Sequence, residues 1–216
     1  MVVCSHIHSD SFSTGNIRIE QGSNVGYSFC GGLIGRSTSG FSTSFIIKNS
    51  YAAGTIECIN PNGDIQVGGF IGGVDVDGNA QALATVSNNF SATRVASSGA
   101  QARGFLGNYY KGGDGVIDRD VDFSSNGFDV VKTEQTVCGK SGSQPIDCNA
   151  INIDNSQPNF FFNESSESAD FFTSWDTQYE WQYGSSYPTL IPRAVRSNAP
   201  TNIAVNRDGA NFVASW

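Results

Sequence analysis

Charge is scarce in this chain. Only 15% of its 216 residues are Asp, Glu, Lys or Arg, where a globular domain usually carries about a quarter. The charges present are unbalanced, 20 acidic against 12 basic, for a net charge of −8 and a pI near 4.6. No Lys/Arg cluster occurs. Nucleic acid is therefore excluded as a partner, because phosphate neutralisation rests on such clusters. No apolar run approaches the roughly 20 residues of a membrane-spanning helix. The start, Met1-Val2-Val3-Cys4, lacks both the basic and the apolar part of a signal peptide. Histidine is limited to His6 and His8. Two alternating imidazoles do not complete a metal site, and no Gly-x-Ser-x-Gly accompanies them for nucleophilic catalysis.

Glycine (25 residues), aromatic residues (12%) and Ser, Asn and Thr fill the composition instead. This is a recipe for β-structure with tight turns, not for disorder. It is also repetitive. Ser11-Phe12-Ser13-Thr14-Gly15 recurs 39 positions on as Ser50-Tyr51-Ala52-Ala53-Gly54, and 39 further on as Asn89-Phe90-Ser91-Ala92-Thr93. A second motif interleaves with it: Gly32-Leu33-Ile34-Gly35, Gly69-Phe70-Ile71-Gly72 and Gly104-Phe105-Leu106-Gly107. A fixed period of this size signals units that stack on their neighbours and share a core.

Superposed units give columns: Phe12, Tyr51 and Phe90; Ile17, Ile56 and Val95; Leu33, Phe70 and Phe105. No 3.6-residue apolar stripe appears, so helices are not expected. Phe45-Ile46-Ile47, Thr55 to Ile59 and Ile65-Gln66-Val67 read as short strands bounded by Gly and Asn. Asp10, Asn49 and Asn88 also align, and a stacked Asn is expected to satisfy turn backbone groups. The third unit departs from the pattern. Arg103 replaces its leading Gly, and Asp122-Phe123-Ser124-Ser125 follows 33 residues after Asn89. The fold class predicted is all-β, a right-handed parallel β-helix (solenoid), over residues 1–130.

Five cysteines are present. Cys138 and Cys148 bracket a Gly/Ser/Pro-containing loop, and we expect them to form a local disulfide that contributes roughly 2–3 kcal/mol. That bond implies an oxidising compartment. Cys4, Cys30 and Cys58 allow at most one further pair, which the sequence leaves unassigned.

The alternation of Gly31-Gly32-Leu33-Ile34-Gly35 with Lys48-Asn49-Ser50-Tyr51-Ala52-Ala53-Gly54-Thr55-Ile56 resembles the GLUG repeat. That repeat occurs in large bacterial surface proteins, adhesin-like and filamentous-haemagglutinin-like chains among them. The similarity covers roughly residues 5–130. Phe172-Thr173-Ser174-Trp175-Asp176, Trp181 and Tyr187-Pro188-Thr189-Leu190 resemble the segment that closes such arrays. The resemblance implies an extracellular scaffold and carries over no catalytic residue. Because the numbering begins within a repeat, we expect a piece of a longer exported chain.

Residues 131–195 leave the repeat and concentrate aromatic residues: Phe160-Phe161-Phe162, Phe171-Phe172, Trp175, Trp181 and Tyr187. We expect a cap over the open end of the stack, because an exposed solenoid end is a sheet edge; an exposed aromatic platform for sugars is the other reading. Within residues 196–216 a linker is followed by Ala199 to Val205 and Phe212 to Trp216, which resemble the first strands of a fibronectin type III module or form a terminal hairpin.

Chemistry-bearing residues are few. Asp75, Asp77 and Asn79 alternate as calcium ligands do, but Ala80 and Val86 break the calcium-loop pattern. Gly112-Gly113-Asp114-Gly115 opens like a calcium-binding nonapeptide, with Ile117 where Asp belongs. Asp75, Asp77, Asn79 and Asp114 are thus the candidate calcium or glycan loop, with no other cofactor expected. Asp75 and Asp114 are also the carboxylates that a polysaccharide-cleaving enzyme would use. Asn89-Phe90-Ser91 and Asn163-Glu164-Ser165 match the glycosylation sequon. The functional expectation is a non-catalytic, secreted or cell-surface bacterial scaffold. It would present loops 20–28, 60–66 and 74–84 to a host cell, matrix or glycan, or to copies of itself in a filament. The alternative is a carbohydrate-active β-helix enzyme or glycan-binding module.

Overall fold

The computed structural model describes residues 5–20, 27–39, 44–59, 64–77, 84–98, 101–112, 121, 123–142, 144–151, 181–182, 189–190, 204–208 and 211–215. The chain is nearly all β. The first unit supplies β1 (Ser5–Ser9), β2 (Phe12–Ser13), β3 (Asn16–Glu20), β4 (Tyr27–Gly31) and β5 (Ile34–Ser39). The second supplies β6 (Ser44–Lys48), β7 (Tyr51–Ile59), β8 (Asp64–Gly68) and β9 (Ile71–Asp77). The third supplies β10 (Ala84–Ser87), β11 (Phe90–Ser98), β12 (Gln101–Arg103) and β13 (Leu106–Gly112).

Each unit places strands in the same four sheets. The first sheet is β1-β6-β10, and the second runs from β2 and β3 through β7 to β11. The third is β4-β8-β12, and the fourth contains β5-β9-β13. Every pairing among these three units is parallel. The register reproduces the columns. Phe12 pairs with Tyr51 and Tyr51 with Phe90; Ile17 pairs with Ile56 and Ile56 with Val95. In the third and fourth sheets the step is shorter, since Ile34 pairs with Ile71 and Ile71 with Leu106. The length difference is absorbed between β7 and β8 and between β11 and β12. Like side chains consequently stack: Phe12 on Tyr51 with ring centroids 5.3 Å apart, and Phe70 on Phe105 at 4.8 Å. These spacings match the distance between neighbouring strands.

Among the described residues, two apolar clusters stand between the sheets. One gathers Phe45, Ile47, Phe70, Ile71, Val74, Val76, Phe105 and Leu106. The other gathers Ile56, Cys58, Ile65, Val67, Val95 and Cys30. Each fully buried Phe or Ile contributes about 1.5–3 kcal/mol. Cys30 and Cys58 are bonded to each other, which joins the third-sheet strand of the first unit to the second-sheet strand of the second.

The two tight corners differ from one another. Between the third and fourth sheets, the glycine motif lets backbone meet backbone. Leu33 N and Ile34 N donate to Phe70 O, and Phe70 N and Ile71 N donate to Phe105 O. Phe105 N and Leu106 N then donate to Cys138 O. A Cβ on Gly72 would lie 2.5 Å from Cys30 N and from Gly35 O, so only glycine fits. Between the first and second sheets, Asp10, Asn49 and Asn88 turn the chain with φ of 51°, 51° and 55°. Asn and Asp tolerate this left-handed region best among residues with a side chain. The next column forms an inter-unit ladder. Ser11 N donates to Ser50 Oγ, Ser50 N to Asn89 Oδ1, and Asn89 N to Asn126 Oδ1. Asn89 Nδ2 also donates to Ile47 O, and Asn126 Nδ2 to Val86 O.

That ladder corrects the start of the fourth unit. Asn126, not Asp122, occupies the position of Asn89, and β14 (Gly127–Asp129) pairs with Phe90 and Ser91 of β11. The chain then leaves the sheet as a short helix, α1 (Val130–Thr133), capped by the Asp129 carboxylate accepting from Val131 N and Lys132 N. β15 (Gly139–Ser141), β16 (Gln144–Ile146) and β17 (Asn149–Ile151) follow. β15 pairs in parallel with β13, β16 folds back on β15 as an antiparallel hairpin, and β17 pairs with β14. The expected Cys138–Cys148 bond spans this hairpin.

The aromatic segment expected as a cap lies mostly outside the described residues: Phe160 to Phe162, Phe171, Phe172, Trp175 and Tyr187 are not among them. Its described strands are β18 (Trp181–Gln182) and β19 (Thr189–Leu190). Trp181 is fully buried and packs on Phe12 and Tyr51 of the first two units, with Nε1 donating to Asp10 Oδ1. At the far end, α1 and the β15–β16 hairpin adjoin the third unit. The terminal strands β20 (Ala204–Asp208) and β21 (Asn211–Ser215) form an antiparallel pair. Among the described residues no helix is long and apolar enough to cross a membrane.

Candidate functional site

Alternation within strands decides which side chains face away from the core. In β4, Ser28 and Cys30 are buried and the Phe29 ring between them is half-buried. In β9, Val74 and Val76 belong to the core and Asp75 points the other way. In β13, Tyr109 is a core residue and Tyr110 is half-buried on the opposite face. Phe29, Arg36, Asp75 and Tyr110, drawn from all three units, line one cavity of about 200 Å³.

Its geometry is specific. The Arg36 guanidinium lies over the Phe29 ring, 4.6 Å from its centroid, and bonds the Asp75 carboxylate. Tyr110 meets Phe29 edge-on, with centroids 5.9 Å apart. Gly73 makes room for this arrangement, because a Cβ there would lie 2.4 Å from the Phe29 ring. The rows continue along the sheets. Gln66 is the register partner of Phe29, and Asn108 that of Gly73. Both amides are buried, and neither Gln66 Oε1 nor Asn108 Oδ1 has a hydrogen-bond partner among the described residues. Asn108 is followed one unit on by β15, where Lys140 stands with its pKa lowered, first by burial and then by Arg103, against an opposing pull from Asp64.

The expected calcium or glycan loop is corrected in part. Asp75 and Asp77 lie in strand β9, not in a loop, and Asp75 is engaged by Arg36. Asn79 and Asp114 lie outside the described residues, as do Asp118, Asp120, Asp122 and Asn163. Among the described residues no three His, Cys, Asp or Glu side chains gather to hold a metal ion. His8 is exposed on β1. Parts of the three presentation loops are strand: Tyr27–Ser28, Asp64–Gln66 and Val74–Asp77 belong to β4, β8 and β9. The sequon at Asn89 is blocked, because that side chain is fully buried in the ladder.

Sequence reasoning found Asp75 and missed Phe29, Arg36 and Tyr110. Arg36 and Asp75 stand 39 apart, as do Arg18 and Glu57, and Arg94 and Glu134 stand 40 apart; Arg18 and Glu57 are register partners, whereas Arg36 is in register with Gly73 and meets Asp75 diagonally. All three are ion pairs between neighbouring units or between a unit and its end segment. Exposed pairs of this kind contribute about 0–1 kcal/mol each, so they set register more than they hold the fold. Comparison of the chain with family models, with curated proteins and with solved structures finds no match.

Proposed function

We propose that this chain is a non-catalytic extracellular repeat scaffold. In this reading its units are the coils of a right-handed parallel β-helix like the GLUG-repeat surface proteins, and its outer face serves adhesion. The supporting observation is the pairing pattern: each unit places strands in the same four sheets and pairs in parallel with its neighbours. Such a stack is a rigid spacer whose surface repeats at each step. Two disulfides suit an oxidising compartment outside the cell.

The enzyme alternative asks for two carboxylates about 5–10 Å apart across a cleft. Asp75 is the described candidate, and Arg36 engages it in an inter-unit pair. A binding role makes better use of that arrangement. The test is to couple the purified chain to beads and measure retention on host-cell, matrix and glycan surfaces, while assaying released reducing ends. Retention without release is expected. Release of reducing ends that Asp75→Asn abolishes would overturn the scaffold reading in favour of an enzyme.

A further inference from the structure

We infer that the Phe29–Arg36–Asp75–Tyr110 cavity is a binding site for one ring of a neutral sugar at the end or within a glycan chain. The inference deepens the adhesive reading by naming the ligand class and the residues, and rests on that reading for its biological setting. Its location also differs from the sequence expectation: the contact surface is a strand-borne cleft, not the loops.

Four features lead to this ligand. The cavity, about 200 Å³, is smaller than the roughly 300–1,000 Å³ of sites for drug-sized molecules, so it takes a single ring. Among its described lining residues the one cation and the one anion are bonded to each other, so that pair carries no net charge to attract an ionic ligand. The pair nonetheless presents N–H donors and carboxylate acceptors side by side, which suits hydroxyl groups that both donate and accept. Finally, Tyr110 offers an amphipathic ring, half-buried at the cavity wall, for the C–H face of a sugar to lie on.

The surroundings make the site firm. Arg36 is held from two sides, by the Phe29 face and by Asp75, so its donors are oriented before a ligand arrives. Phe29 is fixed in turn by the bare backbone at Gly73 and by the Tyr110 edge. Little ordering is left to oppose binding.

Saturation-transfer NMR tests this on the whole chain with gluco-, galacto- and manno-configured neutral oligosaccharides, and with uronic-acid oligosaccharides for comparison. Transfer to the ring C–H protons of at least one neutral sugar is expected. Tyr110→Phe should retain it, whereas Tyr110→Ala and Asp75→Asn should each weaken binding by about tenfold or more, the loss of one stacking or charged hydrogen-bond contact. Thermal melts identify any variant that fails to fold; if Asp75→Asn does, the Tyr110 pair of variants decides alone. Absence of transfer from every neutral sugar, preference for the uronic acids, or binding indifferent to Tyr110→Ala would overturn the site. The bead assay separates the two readings. Retention that persists after such a failure leaves adhesion standing, and sugar binding without retention leaves the site standing while removing adhesion.

Discussion

At the corner between the first and second sheets, side chains make the bonds from unit to unit. Ser11, Ser50, Asn89 and Asn126 form one ladder, each backbone N–H of the first three donating to the next side chain. At the corner between the third and fourth sheets, backbone groups make these bonds directly. Gly69, Gly72 and Gly104 let neighbouring backbones bond directly, and a Cβ at any of them would strike an atom within 2.5 Å. Both corners satisfy the buried peptide groups that a tight turn exposes. The ladder does so with adaptable polar groups, so Ser serves at its first two steps and Asn at the next two. The glycine corner does so by excluding volume at Gly69, Gly72 and Gly104, although Arg103 stands in register with Gly68 at the leading position. The lesson is that one repeat can combine a permissive joint with a strict one.

The strict corner is broken most easily by a single methyl. Gly72→Ala should lower stability by more than about 4 kcal/mol or prevent cooperative unfolding, because the colliding atoms are backbone on both sides and one belongs to a disulfide-bonded residue. Denaturant unfolding measures this. The permissive corner should lose less. Asn89→Ala removes the acceptor for Ser50 N and the donor to Ile47 O, at about 2–3 kcal/mol. Asn89→Ser, the residue that the ladder uses at Ser50, should recover part of that loss. If Asn89→Ala costs as much as Gly72→Ala, the distinction between the corners fails.

A smaller effect concerns Lys140, beyond the glycine corner. Burial and Arg103 hold its pKa below the ordinary lysine value in the folded chain. The unfolded chain therefore binds this proton more readily, and stability should rise with pH between the folded and the unfolded pKa. Lys140 is half-exposed, so solvent screening keeps the gain small. Lys140→Met should flatten the alkaline part of the stability profile; a slope unchanged by that substitution would contradict the assignment. The smallest effect is expected at Gly15, where an added Cβ meets nothing within 4 Å. Gly15→Ala should shift stability by no more than about 0.5 kcal/mol. It serves as the control for glycine chemistry as such.

Much of the fold was legible because stacking writes itself into sequence as a period. The Phe12–Tyr51–Phe90 and Leu33–Phe70–Phe105 columns needed only the 39-residue offset and the recurring glycines. The ladder of Ser11, Ser50, Asn89 and Asn126 was not foreseen, whereas Asp10, Asn49 and Asn88, expected at the turn, do form that turn with positive φ. Nothing in spacing distinguishes these roles; the sign of φ does. Asp122 was misread as the start of the fourth unit because the insertion before Asn126 breaks the period. The cleft was hardest to read. Phe29, Arg36, Asp75 and Tyr110 come from different sheets and units, and their meeting depends on the shortened step in the third and fourth sheets. Asp75 attracted notice through alternating acidic residues, which pointed to calcium or a glycan, and as a carboxylate for polysaccharide cleavage. Cys30 and Cys58 could not be paired from spacing, because the bond joins two different sheets of successive units.

That bond gives the most direct test of the central claim, that successive units stack in parallel with a fixed register. Cys30 and Cys58 lie 28 residues apart, and meet only if β4 of the first unit reaches the strand β7 of the second. A non-reduced digest of the protein, purified under oxidising conditions and analysed by mass spectrometry, should yield one linked peptide pair containing Cys30 and Cys58. A second pair should contain Cys138 and Cys148. Cys30 linked to Cys4, or Cys30 and Cys58 both recovered as free thiols, would contradict the stacked register on which the corners and the cleft depend.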